Sequence, residues 1–465
     1  MHKGTYAALL ALVVLFAVPA ATVRAATQMP IGFFDDPSFR WSSATSQNLA
    51  AAAAAGATVI RTTADWAAIA PTKPANANDP NDPAYKLTDL DTLVRESARY
   101  GLRVMIDITG TPKWANGGLS ENHMPKNLND LKTFAQLLAV RYDGENPGMG
   151  SVDLWSVWNE PNLTQFLTPQ FVGKKIVGPA NYAKLFKAAY AGIKAGNPLA
   201  KVAIGETSAQ GRDKPATGVS QTVSPGMFAQ LLAKQPGLKF DAWAHHPYPT
   251  SPGAKPLEAV RFPNVTLSTL PTFEQDLKKW FHHTVPVWIT EYGHETKPGE
   301  PHGVTLAKQA AYAKQALTVA KNDPTVQMFI WFTFRDSSGN PWQSGLEQSS
   351  GAHKPAYAAF SSLARTIDGT TQAVAAGGHP TLKLFVPYLS FRDPVGSVLG
   401  VTYHVYDGAA QAAVGQPTAM LAPDQSVTVS LDGLVPKKGH TYRVTATVND
   451  INGNIVTRSA TLTVA

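Results

Sequence analysis

The sequence contains no cysteine among its 465 residues. Disulfide bonds and thiolate metal sites are therefore excluded, and the folded chain has to be held together by its hydrophobic core. Charged residues are also few, at 16% of the composition, whereas hydrophobic residues make up 44%. This balance is typical of a folded globular protein and excludes a disordered or fibrous chain.

Concentrated positive charge is missing as well. The formal net charge is +7, but the longest basic runs contain only two residues, as at Lys437-Lys438. A nucleic-acid-binding surface requires a dense basic patch, so we predict no nucleic-acid partner. A loose attraction to anionic surface polymers is compatible with the charge.

Long apolar runs are absent except near the N-terminus. A positive start, an apolar run from Ala7 to Val18 and small residues follow one another within residues 1–26. This order predicts a cleaved signal peptide over residues 1–26, a secreted, extracellular protein and no membrane attachment after cleavage. The alternative is an uncleaved anchor, although the run is shorter than the ~20 residues of a membrane span.

Glycine-rich nucleotide-binding motifs are absent, since neither G-x-G-x-x-G nor G-x-x-x-x-G-K-S/T occurs. Their absence argues against an open doubly wound sheet, the main alternative for the strand and helix patterns that alternate over residues 27–366. The predicted strands are Pro30–Phe34, Thr58–Arg61, Leu102–Ile108, Val152–Trp158, Lys201–Gly205, Phe240–His245, Pro286–Thr290 and Val326–Phe332. Most are apolar on both faces and each precedes a helical pattern, which predicts an α/β fold of the (β/α)8 TIM barrel type.

The pattern changes after residue 366. Residues 367–381 are rich in Ala, Gly and Thr and predict a linker, and residues 382–465 contain only strand and turn patterns. Short strands at this spacing predict a small C-terminal β-sandwich of the immunoglobulin or fibronectin type. We favour a structural role for this accessory domain over carbohydrate binding, because its aromatic residues fit core positions.

Two glutamates lie at the ends of predicted barrel strands. Glu160 stands in Trp-Asn-Glu-Pro-Asn after strand four, and Glu291 stands in Ile-Thr-Glu-Tyr-Gly after strand seven. Barrel enzymes build their active sites at this end of the strands. Glycosidic hydrolysis with retention requires two carboxyl groups, one to protonate the leaving oxygen and one to attack the anomeric carbon. The two motifs meet that requirement.

These motifs resemble those of the clan A retaining glycoside hydrolases, which include cellulases, β-xylosidases and β-galactosidases. The string Val-Trp-Asn-Glu-Pro-Asn is most similar to glycoside hydrolase family 39, with family 5 close behind. The resemblance covers the whole barrel region. It implies a hydrolase without a cofactor that cleaves O-glycosidic, mainly β-linked bonds in an oligosaccharide or polysaccharide by double displacement.

The resemblance also implies residue roles. Glu160 is expected to be the acid/base and Glu291 the nucleophile, while Asn159 is expected to bond the sugar 2-hydroxyl. Arg61, at the end of strand two, is expected to lie beneath Glu291 and keep it ionised. An alternative partner for Arg61 is a loop carboxylate such as Asp65.

Further substrate-binding residues are expected on or after later strands and in loops at the same end of the barrel. His246 and Tyr248 match a His-x-Tyr pattern, and Tyr248 is expected to hydrogen-bond the nucleophile. Trp331 on strand eight is expected to form the floor of the −1 sugar subsite, followed by a cis peptide bond. Trp66, Trp114 and Trp342, in the loops after strands two, three and eight, are predicted to stack on sugar rings or, alternatively, to pack against neighbouring loops.

The two glutamates are expected to differ in charge. A charged Glu291, favoured by Arg61, raises the pKa of Glu160, so that Glu160 remains protonated and acts as an acid. Once the glycosyl-enzyme forms, the charge on Glu291 disappears and the pKa of Glu160 is expected to fall. Glu160 then serves as the base that activates water.

Other interpretations remain open. The adjacent His245 and His246 could suggest a metal, but zinc requires three or four ligands and no H-E-x-x-H motif is present, so we predict no metal. A transglycosylase would use the same residues, and a non-catalytic carbohydrate-binding barrel is the alternative outside enzymes. We expect a monomer whose partner is a carbohydrate substrate.

Overall fold

The computed structural model describes residues 29–339, 342–368, 370–386, 396–422, 426–449 and 455–464. The predicted signal peptide, residues 1–26, lies outside the described residues. None of the described helices is both long and apolar enough to cross a membrane.

Eight parallel strands form a closed barrel. They are β1 (Ile31–Phe34), β2 (Val59–Asp65), β3 (Arg103–Thr109), β4 (Leu154–Val157), β5 (Lys201–Ser208), β6 (Ala242–His246), β7 (Val287–Tyr292) and β8 (Val326–Phe332). Each strand pairs with the next one along the chain, and β8 closes the barrel by pairing with β1. The predicted TIM barrel and its eight strands are confirmed.

A helix follows every barrel strand and packs its apolar face on the outside of the barrel. The helices are α1 (Thr45–Ala54), α2 (Thr88–Arg99), α3 (Leu128–Arg141), α4 (Gly178–Gly196), α5 (Pro225–Leu232), α6 (Leu270–Phe281), α7 (Leu306–Asn322) and α8 (Pro355–Asp368). Capping side chains fix some of their starts, as where the hydroxyl of Thr305 accepts the backbone N–H of Lys308 in α7.

The barrel interior changes from apolar to charged along the strands. Apolar side chains towards the N-terminal ends of the strands include Val59, Met105, Leu154, Ala244 and Trp288. Two positions further along the same strands lie Arg61, Asp107, Ser156, His246 and Thr290, which are all fully buried. Because successive side chains point to opposite faces of a strand, a step of two residues keeps the same face. The barrel interior therefore contains a buried polar layer directly above an apolar layer.

The strands that follow α8 form the C-terminal β-structure. They are β9 (Thr370–Val374), β10 (Thr381–Phe385), β11 (Val398–Asp407), β12 (Ala410–Gly415), β13 (Thr418–Met420), β14 (Ser426–Ser430), β15 (Thr441–Asn449) and β16 (Ile455–Val464). One sheet has the order β9-β16-β15-β11-β12, with β13 also on β11, and β10 pairs with β14. A separate core that includes Tyr403, Val427 and Tyr442 lies between them. The predicted β-sandwich is confirmed.

The segment predicted as a linker, residues 367–381, needs a correction. Residues Thr370–Val374 in this segment form β9, which pairs in parallel with β16. Part of the segment therefore belongs to the C-terminal sheet, because its threonines and valine have strand propensity that the Ala and Gly content concealed. The sheet also contacts the barrel where Arg458 of β16 donates to the carbonyl of Gly101 at 2.9 Å.

Candidate active site

Glu160 and Glu291 lie together at the C-terminal end of the barrel. Glu160 follows β4 and its side chain is 16% exposed, while Glu291 is in β7 and its side chain is 11% exposed. The Nδ1 atom of His246 lies 3.1 Å from Oε1 of Glu160 and 3.7 Å from Oε2 of Glu291. Both carboxyl groups therefore approach the same ring nitrogen, which places them on one side of the cavity, as two carboxyl groups that flank one glycosidic bond require.

Arg61 and Tyr248 hold Glu291 from two sides. Nη1 of Arg61 donates to Oε1 of Glu291 at 2.5 Å, and the hydroxyl of Tyr248 donates to Oε2 at 3.1 Å. Arg61 does not pair with Asp65, whose carboxylate instead caps a short helix by accepting from Ala67 and Ala68. Burial lowers the pKa of Arg61, but three nearby carboxylates raise it overall, so Arg61 is a fixed cation.

Asn159 lines the same cavity as the two glutamates. Its Oδ1 accepts from Nη2 of Arg61 at 3.2 Å, which fixes the orientation of its amide. The backbone of the following residue turns sharply, because Glu160 has a φ of 40° and donates its N–H to the carbonyl of Glu206. This turn directs the carboxyl group of Glu160 into the cavity.

The pKa of Glu160 is raised. Burial is the largest cause, His246 acts in the opposite direction, and the charge of Glu291 raises the pKa further. The direction agrees with the expectation from the sequence, whereas the main cause is burial rather than Glu291. Tyr248 also has a pKa raised well above 10 by burial and by Glu291, so its hydroxyl stays protonated and can donate.

Beneath these groups lies a layer of charged residues closed off from solvent. We call Glu160, Glu291 and Tyr248 the open layer, and Arg61, Asp107, Glu206 and His246 the sealed layer. The four side chains of the sealed layer are 0% exposed. Sequence reasoning had identified Arg61 and His246 but missed the two acidic members.

Of the two acidic residues that sequence reasoning missed, Glu206 makes more hydrogen bonds than Asp107. Its Oε2 accepts from Nε2 of His246 and from the hydroxyl of Thr290, each at 2.7 Å, and lies 3.4 Å from Nη2 of Arg61. Burial alone would raise the pKa of Glu206, but Arg61 and His246 lower it to about 2. Glu206 is therefore a permanent anion inside the barrel.

Asp107 shares the layer but lacks a close cation. Its Oδ1 accepts from Ser156 at 3.1 Å, and Nη2 of Arg61 is 3.6 Å from Oδ2. Burial and the nearby Glu206 raise the pKa of Asp107 to about 7, against the opposing effect of Arg61. The alternation of side chains in β3 could have revealed Asp107, since it stands two residues beyond the interior Met105.

The two adjacent histidines have opposite surroundings. Burial lowers the pKa of His246, but Glu291, Glu160 and Glu206 raise it to about 10. His245 bonds Thr207 and the carbonyl of Val265, and burial lowers its pKa to about 3. His245 is therefore a packing residue. Among the described residues, no group of three or more His, Asp or Glu side chains is arranged to hold a metal.

A cavity of about 530 Å³ opens above the open layer. Three half-buried aromatic side chains, Phe34, Phe332 and Trp342, line it together with the two glutamates and Tyr248. Trp342 contacts Tyr248 edge to face, with ring centroids 5.3 Å apart. Flat apolar faces beside carboxylates suit the alternating apolar and hydroxyl surfaces of a sugar ring.

Trp331 requires a correction, because it does not form the floor of this cavity. It is 0% exposed, its Nε1 donates to the carbonyl of Ser344, and its ring packs against Tyr292. The neighbouring Phe332 faces the cavity instead, and the cis peptide bond is Phe332–Thr333. The assignment was one residue early, which reverses the face of a strand.

Trp66 and Trp114 also lie away from the cavity. Trp66 begins the short helix Trp66–Ile69, is 1% exposed and stacks on Phe134. Trp114 is half-buried against Trp66, and its Nε1 donates to the carbonyl of Ala70. The packing alternative therefore holds for both, and they support the loops after β2 and β3.

Two further regions adjoin the cavity. One of about 860 Å³ shares Phe34 and Phe332 with it and reaches Trp41, which is 63% exposed. Another of about 190 Å³ shares Phe34, Asn159 and Phe166 with it. The three spaces adjoin one another around Phe34 and together form a cleft across the barrel.

Comparisons with known proteins agree with this architecture. Residues 25–336 match the family model described as cellulase, glycosyl hydrolase family 5. No curated protein gives a significant match. A family 39 glycoside hydrolase from Bacteroides cellulosilyticus WH2 has a similar structure, with a TM-score of 0.54 and 18% identity over 87% of this chain and 80% of the other.

Two further solved structures share the fold. A family 5, subfamily 18 glycoside hydrolase from Streptomyces cattleya, in complex with GlcNAc, has a TM-score of 0.52 and 16% identity over 76% of this chain and 86% of the other. A family 39 β-xylosidase from Caulobacter crescentus has a TM-score of 0.50 and 17% identity over 81% and 82%. The predicted clan and enzyme class are confirmed. The chain belongs to the cellulase family, glycosyl hydrolase family 5, and is a clan A glycoside hydrolase.

Proposed function

We propose that this protein hydrolyses β-glycosidic bonds of an oligosaccharide or polysaccharide by double displacement, with retention at the anomeric carbon. The observation that carries the proposal is the placement of Glu160 and Glu291 on one cavity, both within reach of the same nitrogen of His246. One carboxyl group has a raised pKa, and the other is bonded to the permanent cation Arg61. This difference suits an acid and a nucleophile.

In the first half-reaction, the carboxyl group of Glu160 gives its proton to the glycosidic oxygen while the carboxylate of Glu291 attacks the anomeric carbon. The bond between that carbon and the leaving oxygen breaks, and the leaving sugar departs as an alcohol. Arg61 and Tyr248 hold both oxygens of Glu291, so the nucleophile has a fixed position before substrate binds.

In the second half-reaction, Glu160 is a carboxylate and takes a proton from water. The water oxygen attacks the anomeric carbon, and the bond to Glu291 breaks. Esterification of Glu291 removes a negative charge beside Glu160 and so lowers its pKa at this stage. The same pair of side chains then returns to its starting state.

The dimensions of the cleft favour a chain of sugars over a single sugar. The cavity above the glutamates continues past Phe34 and Phe332 towards Trp41, whose exposed ring offers a flat apolar surface. A β-xylosidase among the structural neighbours supports a β-linked substrate. The signal pattern in residues 1–26 supports a secreted enzyme, and we propose that it acts as a monomer.

The proposal is tested with purified mature protein on aryl β-glycosides and a panel of soluble polysaccharides. Glu160→Ala and Glu291→Ala are compared with Glu274→Gln, which alters a carboxyl group on α6 outside the site. We expect Glu291→Ala to lose turnover and to regain part of it with azide, giving a glycosyl azide of inverted configuration. Glu274→Gln is expected to retain full turnover.

Unchanged turnover in both alanine variants would overturn the mechanism. Product analysis with an added acceptor sugar distinguishes hydrolysis from transglycosylation, because only the latter forms a longer saccharide. Binding of a polysaccharide without turnover of any glycoside would favour the non-catalytic alternative.

A further inference from the structure

We infer that Glu206 is the positioning residue that couples the two candidate catalytic carboxylates, holding His246 as an imidazolium against Glu160. The roles of Glu160 and Glu291 in this inference rest on the proposed function, whereas the contacts of Glu206 do not. Its Oε2 touches Nε2 of His246 and lies near Nη2 of Arg61. Those two cations in turn contact Glu160 and Glu291.

The hydrogen bonds of His246 determine its protonation. Nε2 lies 2.7 Å from the carboxylate of Glu206, and Nδ1 lies 3.1 Å from Glu160. Nδ1 also lies 3.7 Å from Glu291, which is bonded to Arg61. An unprotonated Nδ1 would direct its lone pair towards that carboxylate. A proton on each nitrogen gives all three carboxyl contacts a donor, which only an imidazolium can do.

The surroundings of His246 reinforce this state. The groups around the ring are Arg61 on β2, Asp107 on β3, Glu160 after β4, Glu206 on β5, Glu291 on β7, and the neighbouring His245 and Tyr248. Three carboxyl groups lie within 4 Å of its nitrogens, and burial alone would favour the neutral ring. Glu206 is the fully buried member of the three, so its charge does not depend on substrate or solvent.

A bulge in the backbone of β5 directs the side chain of Glu206 into the barrel. The pairing of β5 with β6 shifts register between Gly205 and Thr207, and Glu206 has a φ of 46°. Gly205 has a φ of 108°, and a Cβ there would lie 2.7 Å from the ring of Trp243. Glycine is therefore required for this bulge, which re-aims one side chain.

The consequence for the reaction concerns Glu160. An imidazolium at 3.1 Å favours the carboxylate form of Glu160, which the second half-reaction requires as a base. Without the charge of Glu206, His246 would lose its second proton near neutral pH and would accept from Glu160 instead. Glu206 thus acts on the reaction through His246 and touches no substrate.

The first test reads the charge of His246 without any substrate. The mature protein, which lacks His2, is labelled with ¹⁵N-histidine, and the His246 signal is assigned with His246→Gln. At pH 8 we expect His246 to show the ¹⁵N shifts of an imidazolium, whereas the adjacent His245 shows those of a neutral ring. In Glu206→Gln, the His246 signal is expected to become that of a neutral ring.

The second test reads the effect on Glu160. With an aryl β-glycoside, the alkaline limb of the pH profile of kcat/KM reports the acid form of Glu160. We expect this limb to move up by roughly one pH unit in Glu206→Gln, because a neighbouring cation is lost. The control Glu274→Gln removes a partly buried carboxyl group outside the site, and it should alter neither the alkaline limb nor the His246 signal.

A neutral His246 at pH 8 in the unsubstituted protein overturns the inference, even if Glu206→Gln fails to fold. An imidazolium signal or an alkaline limb that persists unchanged in folded Glu206→Gln contradicts it equally. Absence of turnover on every glycoside would count against the proposed function, whereas the histidine spectra would still decide the role of Glu206.

Discussion

Glu160 and Glu206 approach His246 from opposite sides of its ring, one in the open layer and one in the sealed layer. Their pKa values nevertheless move in opposite directions, and the fully buried Glu206 is the one that stays charged. Burial raises the pKa of both groups, so burial does not decide the outcome. The number of nearby cations and their distances decide whether the pKa of each carboxyl group rises or falls.

The same principle separates the carboxyl groups within each layer. Arg61 bonds directly to Glu291 and His246 bonds directly to Glu206, whereas Asp107 has only a 3.6 Å approach from Arg61. The pKa of Asp107 consequently rises to about 7. Each layer thus combines one charged carboxylate with one group that takes up a proton readily, and only the open layer uses that proton for chemistry.

The largest effect is expected when the cation common to both layers is removed. Arg61→Met leaves Glu206 and Glu291 without their shared donor, which should destabilise the barrel by about 3–5 kcal/mol. The kcat on an aryl glycoside should fall by roughly 10²–10³-fold. Urea unfolding and steady-state kinetics measure both. Arg95→Met, on the exposed face of α2, serves as control, and an equal loss in that variant would contradict the assignment.

The two sealed carboxyl groups should give opposite pH dependences of stability. For Glu206, the pKa is about 2 when folded and 4.5 as the reference value, so its stabilisation is complete above pH 4.5 and is lost towards pH 2. Glu206→Gln should therefore be less stable at pH 7 by about 3 kcal/mol. The difference from the unsubstituted protein should shrink in urea unfolding below pH 4.5, and a constant difference would refute it.

For Asp107, the pH dependence of its contribution to stability has the opposite sign. Its pKa is about 7 when folded against a reference value of 3.8, so the folded state binds more protons between these values and loses stability as pH rises through them. Asp107→Asn does not titrate and should gain stability relative to the unsubstituted protein from pH 4 to pH 7, by up to a few kcal/mol. Urea unfolding at pH 5 and pH 8 checks this, and a larger gain at pH 5 would show the wrong sign.

The sequence predicted the barrel and the open layer better than the sealed layer. Apolar strands followed by helices predict the eight strands, and the Asn-Glu-Pro and Thr-Glu-Tyr strings mark Glu160 and Glu291. The sequence does not identify Glu206 because the bulge at Gly205 interrupts the alternation of inward and outward side chains. Counting by two from the interior Ala203 leads to Gly205 instead. No residue pattern in β5 announces that shift.

The sequence does not determine where the tryptophan rings lie, for related reasons. Every residue of β8 except Gln327 is apolar, so the sequence does not indicate which face is inside, and its pairing with β7 contains two register shifts. The resemblance implies Trp331, whereas Phe332 faces the cavity. For Trp66 the sequence leaves stacking and packing open, and packing holds because Asp65 caps a helix that turns the ring into the core, a local feature that composition does not reveal.

Phe332 and Trp331 on β8 allow a comparison between a ring that faces the cavity and a ring that is buried, with smaller expected effects. Phe332→Ala should raise KM roughly tenfold, equivalent to ~1.4 kcal/mol, because it removes the ring beneath the sugar. Trp331→Phe should leave KM unchanged and lower the free energy of unfolding by about 1–3 kcal/mol. Kinetics and urea unfolding of both variants separate the roles, and a reversed pattern would restore Trp331 as the floor.

The smallest effect is expected at the far end of the cleft, where Trp41 is 63% exposed and lies near Arg40. Trp41→Ala removes little buried surface and should change stability by less than about 0.5 kcal/mol. A stacking surface in the region that adjoins the cavity, rather than in the cavity itself, contributes only when the substrate is long enough to reach it. We therefore expect turnover of an aryl monoglycoside to be unchanged and kcat/KM on the longest oligosaccharide substrate to fall about three- to tenfold. An equal loss on both substrates would place the effect of Trp41 at the open layer rather than along the cleft.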